Sequence, residues 1–111
     1  MEPLHGVLDM LVLRTLILGP LHGYGIAKSI HSRSSESLEI EFGSLYPSLK
    51  RLEVKGWIVS KWGISEQNRR AKYYRLTPAG KKQLQQEHSE WREFASAIAH
   101  VMLPAPEEGQ S

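Results

Sequence analysis

GSLYPSLKRLEVKGWIVSKWGISEQNRRAKYYRLT, residues 43–77, changes its hydrophobic period partway along. Leu45, Leu49 and Leu52 recur at helical steps, so they share one face that must be buried. Pro47, Lys50, Arg51 and Val54 point the other way, with Ser44 and Tyr46 at the flanks. Ser44 is placed to cap this helix, which would leave Pro47 at the third helical position, where an N–H has no partner anyway. Gly56 suits the left-handed residue that stops a helix. Strand-forming residues follow: Trp57, Ile58, Val59 and Trp62, then Tyr73, Tyr74 and Leu76. The loop between them carries Gln67, Asn68, Arg69 and Arg70, with Lys72 just beyond. A helix followed by a hairpin with a basic tip is the layout of a winged helix-turn-helix, in which the helix reads DNA and the wing grips phosphate.

Towards the N-terminus, residues 4–18 (LHGVLDMLVLRTLIL) are apolar nearly all round when wound as a helix. In a small domain such a helix is covered on most sides, in part by a second subunit. Gly19-Pro20 ends it. Residues 21–35 read as a second helix with Ile26, Ala27 and Ile30 inside. Gly23 and Gly25 form an isolated G-x-G that lacks the strand–loop–helix context of a phosphate cradle. They suit close helix–helix approach, with the helix N-terminus turned to a DNA phosphate. LEIEF, residues 38–42, alternates apolar and acidic residues and reads as a short strand aligned with the wing.

Past the hairpin, Thr77 and Pro78 predict an N-cap followed by proline at the first helical position. The helix runs from Pro78 to about Met102, before Pro104 and Pro106. Leu84, His88, Trp91, Ala95, Ile98 and Met102 follow one another at alternating steps of four and three, the spacing of a coiled-coil seam. Glu87, Glu90, Arg92 and Glu93 fall on the expected wet side. An apolar stripe this long outruns a three-helix core, and its simplest cover is the same helix of a second chain.

The chain of 111 residues suits one domain, and its formal net charge is only +2. The distribution of charge says more. Between residues 42 and 82 stand ten lysines and arginines against two acidic residues, while the rest of the chain is acidic in balance. This asymmetry concentrates positive field on one surface, as a DNA-binding face requires. The same lysines would also protect an exposed hairpin edge. Cysteine is absent, which excludes a disulfide framework and thiolate metal sites. The apolar N-terminal stretch lacks a basic flank and is too short to span a bilayer, so a cytoplasmic protein without membrane association is expected. The five histidines are scattered, and no nucleophile elbow, P-loop or H-x-x-x-H pair occurs. No catalytic residue, metal or cofactor is expected.

GPLHGYGIAKSI (19–30), FGSLYPSLKRLEVKGWI (42–58) and RRAKYYRLTPAGKKQL (69–84) together resemble the PadR family of bacterial transcriptional regulators. The resemblance implies an N-terminal winged helix and a C-terminal dimerisation helix, here in the short form with one such helix. It also implies DNA-contacting roles for Ser44, Tyr46, Pro47 and Lys50 on the recognition helix, for Arg69, Arg70 and Lys72 on the wing, and by residue type a backbone contact for Tyr24. Arg51, next to Lys50, is expected to add a phosphate or base-edge contact. Multidrug-sensing members of the family carry a tryptophan on the last helix that lines a hydrophobic pore between subunits. By that likeness a planar aromatic effector would stack on paired Trp91 rings, with His88, Ala95 and Ile98 around it. Trp91 as plain interface core accounts for the same seam.

The expected fold class is thus mainly α, an α+β winged helix. Residues 1–77 would form the DNA-binding domain, 78–103 the dimerisation helix and 104–111 a flexible tail. The expected function is a PadR-like regulator, a repressor that binds operator duplex DNA as a homodimer and is released by a small aromatic effector. The alternative is a winged-helix module that binds protein or RNA and never reads duplex DNA.

Overall fold

The computed structural model describes residues 3–106, with side chains from residue 6 onward. Of the expected tail, residues 107–111 lie outside the described residues. The chain is mainly helical with one small antiparallel sheet: α1 (Pro3–Thr15), a 3-10 turn (Leu16–Leu18), β1 (Leu21–His22), α2 (Gly23–Arg33), α3 (Phe42–Val54), β2 (Ile58–Ile64), β3 (Arg70–Leu76) and α4 (Pro78–Met102). The sheet order is β1-β3-β2.

One core joins all of these elements. Val12, Leu13 and Leu16 meet Ile26 and Ile30 of α2, Leu45, Leu49 and Leu52 of α3, Ile58 and Tyr74 of the sheet, and Leu84 of α4. The leucine spacing of α3 therefore buries the face that the period implied. Gly56 stops that helix with φ at 74°. Its N–H bonds the Glu53 carbonyl, and the next N–H, from Trp57, reaches back to Leu52 at 3.0 Å. Those two bonds form a Schellman motif, which turns the chain directly into β2. At the hairpin tip Asn68 takes the left-handed conformation, with φ at 59°. The Ser65 N–H then bonds the Arg69 carbonyl at 2.7 Å and closes a short loop.

Four local expectations are corrected. The third strand is Leu21–His22 and not residues 38–42. Leu21 and His22 pair with Tyr74 and Tyr73 and so occupy the edge of β3 that a strand from 38–42 would have needed. That segment is instead a loop tied to the end of α2, where the Leu38 N–H donates to Ser34 Oγ and the Leu38 carbonyl lies 3.1 Å from His31 Nδ1. The second helix accordingly begins at Gly23, capped by an unexpected residue: His22 Nδ1 accepts the Gly25 N–H at 3.0 Å. The α3 helix starts at Phe42, two residues before the expected cap. The Glu41 carbonyl, not the Ser44 side chain, takes the first helical N–H groups. Pro47 is thereby the sixth helical residue, and the donor it lacks would have faced the carbonyl of Gly43, an exposed residue. Finally, the first helix is not continuous to residue 18, because its last three residues tighten to a 3-10 turn before Gly19.

The Thr77 cap forms as the sequence implies. Thr77 Oγ1 accepts the Gly80 N–H at 3.0 Å and donates to the Gly56 carbonyl at 2.8 Å. One hydroxyl thus ties the start of α4 to the end of α3.

Candidate nucleic-acid interface

With Leu45, Ser48, Leu49 and Leu52 buried, α3 keeps Gly43, Pro47, Lys50 and Val54 exposed on the opposite side. Its two flanks are held differently. On one flank Asp9 of α1 accepts a hydrogen bond from the fully buried Ser48 hydroxyl. The same carboxylate takes both ends of Arg51, Nη2 at 2.8 Å and Nε at 3.3 Å. This bond keeps the Arg51 guanidinium firmly protonated, with its pKa above the ordinary arginine value. On the other flank Glu53 accepts from Ser60 Oγ at 2.6 Å and faces Lys72 Nζ at 3.8 Å. The helix is clamped to α1 and to the sheet by polar contacts that leave its outer side free.

Beside that outer side, between the N-terminus of α2, Tyr46 and the hairpin, lies an open cleft of about 770 Å³. Tyr24 and Tyr46 line one wall and Trp62, Arg69, Arg70 and Lys72 the other, and no carboxylate lines it. Strand pairing explains the second wall. Trp62 stands opposite Lys72 and Ile64 opposite Arg70, so these four side chains share one face of the hairpin. Arg70 folds its guanidinium over the Trp62 ring, 4.6 Å from the centroid. Lys72 lies over Tyr74, 5.8 Å from its centroid, and burial pushes the Tyr74 phenol above its usual pKa. Across the cleft, the Tyr46 ring rests on Gly23, where an added Cβ would sit 3.2 Å from the phenol oxygen. The expected close helix–helix approach is therefore made at Gly23, while Gly25 is crowded only by Leu21 and His22 of its own segment.

Tyr24, Tyr46, Arg69, Arg70 and Lys72 are brought together in this way, with Ser44, Pro47 and Lys50 exposed along α3. Arg51 is set apart from the cleft by its bond to Asp9. Sequence reasoning missed Trp62 as a cleft residue, although the two-residue alternation Ser60, Trp62, Ile64 opposite Arg70 and Lys72 carries the signal. It missed Asp9 as well, because a single carboxylate in an apolar helix does not announce a partner 42 positions away.

The stripe along α4 divides. Leu84 is buried in the core of its own chain, and Trp91 packs against that core from outside. A second cleft, of about 410 Å³, opens between α1 and α4 and is lined by Met10, Leu11, Ile17, Leu84, His88 and Trp91 among others. Ala95 and Ile98 lie further along the helix, and Ile98, Val101 and Met102 are exposed. Glu87 is not on the wet side as expected. It is half-buried, Gln83 Nε2 donates to its Oε1 at 3.2 Å, and its buried Oε2 has no hydrogen-bond partner. Burial, with Asp9 and Glu90 nearby, pushes the Glu87 carboxyl above the ordinary glutamate range.

A short helix with a free outer side, set against a hairpin whose inner face is basic, defines a winged helix of the kind used by transcription regulators. Residues 12–86 match the transcriptional regulator PadR-like family. The chain belongs to that family, which consists of regulators and not of enzymes. It is similar to a transcriptional regulator of Clostridium thermocellum, with 35% identity, 90% of this chain and 94% of that one covered and a TM-score of 0.81. It is also similar to a PadR family transcription regulator of Clostridium difficile, with 32% identity, 88% and 100% covered and a TM-score of 0.73. A transcriptional regulator of Mycobacterium tuberculosis is 31% identical over 70% of this chain and 69% of its own length. No described helix is long and apolar enough to cross a membrane.

Proposed function

We propose that this PadR-like regulator is a cytoplasmic repressor that binds operator DNA as a homodimer. The observation that carries the reading is the basic cleft between Tyr46 and the hairpin, whose lining holds no carboxylate and which meets α3 at Tyr46, on the flank of its exposed outer side. In this reading α3 enters a major groove. Ser44, Tyr46, Pro47 and Lys50 meet base edges and phosphates there, and the N-terminus of α2 with Tyr24 meets the backbone. Arg69, Arg70 and Lys72 reach the flanking phosphates or the minor groove. Arg51 contributes mainly by orienting α3 through Asp9, and a phosphate contact is left to its exposed edge.

Residues 1–77 act as the DNA-binding unit and 78–103 as the dimerisation helix. The exposed Ile98, Val101 and Met102 support the dimer, since a 25-residue helix carries this apolar stripe past the core of its own chain. Two such subunits place their α3 helices about one DNA turn apart, ~34 Å. The cleft between α1 and α4 is the place for a small aromatic effector, with Trp91 as the stacking surface. Because α1 lines that cleft with Met10 and Leu11 and holds α3 with Asp9, an occupant that shifts α1 changes the angle between the two reading heads. A few kcal/mol of differential affinity is enough to release the operator. A gel shift with the duplex upstream of the protein's own gene tests the core of the proposal. A retarded complex that competitor DNA of unrelated sequence does not displace is the expected result, and failure to bind any duplex overturns it.

A further inference from the structure

Phe42 is the first residue of α3, and its ring stacks on that of Tyr46 one turn later, with centroids 5.7 Å apart and planes 26° from parallel. Both rings are open to solvent, Phe42 at 42% and Tyr46 at 53% exposure. Tyr46 cannot swing away freely, because Gly23 backs one part of its ring and Phe42 covers another. The pair is therefore a preformed apolar step, two aromatic rings wide, at the N-terminal end of the helix. It adjoins a cleft whose other wall is Arg69, Arg70 and Lys72. Two stacked, part-exposed rings held in place offer a flat apolar surface that an apolar group of a ligand can cover. The positive wall beside it selects a polyanion as the carrier of that occupant. In duplex DNA the apolar feature of the major groove is the C5-methyl group of thymine, and aromatic and aliphatic side chains recognise it by contact alone.

We propose that Phe42, held flat by Tyr46, reads the methyl group of one thymine in each half of the operator. The inference rests on the duplex-binding reading above and adds to it the base that α3 selects and the residue that selects it. A phenyl ring makes no hydrogen bond to a base edge, so its preference is for the methyl group and not for the Watson–Crick identity of the pair. Uracil, which lacks only that methyl, is the discriminating probe.

The experiment uses the full chain and a duplex enriched from a random library. Each thymine of the enriched site is replaced in turn by deoxyuridine. One thymine per half-site is expected to weaken binding about fourfold on losing its methyl, the effect of exposing one buried methyl group. Phe42→Ala is expected to bind the thymine and uracil duplexes equally, so that in a double-mutant cycle the coupling between ring and methyl equals the whole methyl effect seen with the parent chain. Phe42 is partly exposed and outside the core, and the thermal melt and sedimentation of F42A report whether fold or assembly has changed. Operator binding with no uracil-sensitive position, or uracil sensitivity that persists in F42A, overturns the methyl contact and leaves duplex binding standing. An F42A protein that sediments differently assigns the ring to a subunit contact and also overturns it. Failure of the unaltered chain to enrich any duplex removes both readings.

Discussion

Gly80 lies directly against the backbone of Trp57: a Cβ built on Gly80 would stand 2.0 Å from the Trp57 carbonyl oxygen and 2.8 Å from a methyl group of Leu76. The first turn of α4 thus docks on the entrance to β2 with no room for a side chain. That carbonyl also accepts the Thr77 N–H at 3.1 Å, so it cannot retreat without breaking the junction. Gly80→Ala is expected to destabilise the fold by about 3 kcal/mol or more, the upper end for overpacking, because the clash is with backbone. The midpoint of urea unfolding measures it.

Asp9→Ala removes the shared acceptor of Ser48 and Arg51. The Ser48 hydroxyl is fully buried and would be left without a partner, at a cost of about 1–3 kcal/mol. Loss of the half-exposed Arg51 pair adds little, under about 1 kcal/mol. Asp9→Asn keeps a carbonyl oxygen for Ser48 and is expected to fall between the two. Comparing the unfolding curves of both variants with Arg51→Ala separates the buried hydroxyl from the ion pair.

Glu87 makes stability depend on pH in a definite direction. Its carboxyl titrates above the ordinary glutamate value in the folded chain, chiefly through burial, so the folded state holds the proton more tightly than the unfolded state does. The associated stability is fully present below the unfolded glutamate pKa and is lost as pH rises through the higher folded value. Glu87→Gln is expected to be more stable than the parent at neutral and higher pH, with the gain vanishing at acid pH. Unfolding midpoints of both proteins across the titration give the test; parallel curves would mean that Glu87 is not the group responsible.

Neutralising the wing as Arg69→Gln with Arg70→Gln is expected to weaken binding to all duplexes alike. The dependence of log affinity on log salt should flatten by about one unit for each phosphate contact removed. Trp62→Ala, which takes away the ring under Arg70, is expected to give a smaller loss in the same direction. A salt slope unchanged in the double variant would exclude the wing from the interface.

Trp91→Ala is expected to abolish binding of a flat aromatic dye, followed by fluorescence, while sedimentation still reports a dimer. The ring partly covers the core and lines the cleft between α1 and α4, so a structural contribution of about 1–2 kcal/mol accompanies the change. A monomeric variant would assign Trp91 to the subunit interface instead.

The amino-acid sequence by itself determined the parts of this protein that depend on neighbours within a few positions. Leu45, Leu49 and Leu52 share a face because of helical pitch alone. Gly56 can adopt its left-handed turn because it has no Cβ, and Thr77-Pro78 begins α4 because a hydroxyl cap and a fixed φ suit a first turn. The basic tip of the hairpin was legible for the same reason, since Arg69, Arg70 and Lys72 are consecutive or nearly so. Only the tertiary structure decided which segment completes the sheet, where a two-residue strand at Leu21 took the edge of β3 that an alternating pattern at 38–42 had suggested. It alone placed Asp9 against Ser48 and Arg51, Trp62 beneath Arg70, and Glu87 out of water on a helix face that looked polar. A strand edge accepts one neighbour, and a buried oxygen is satisfied or orphaned by residues far away in the chain; neither choice is made by the segment that bears it.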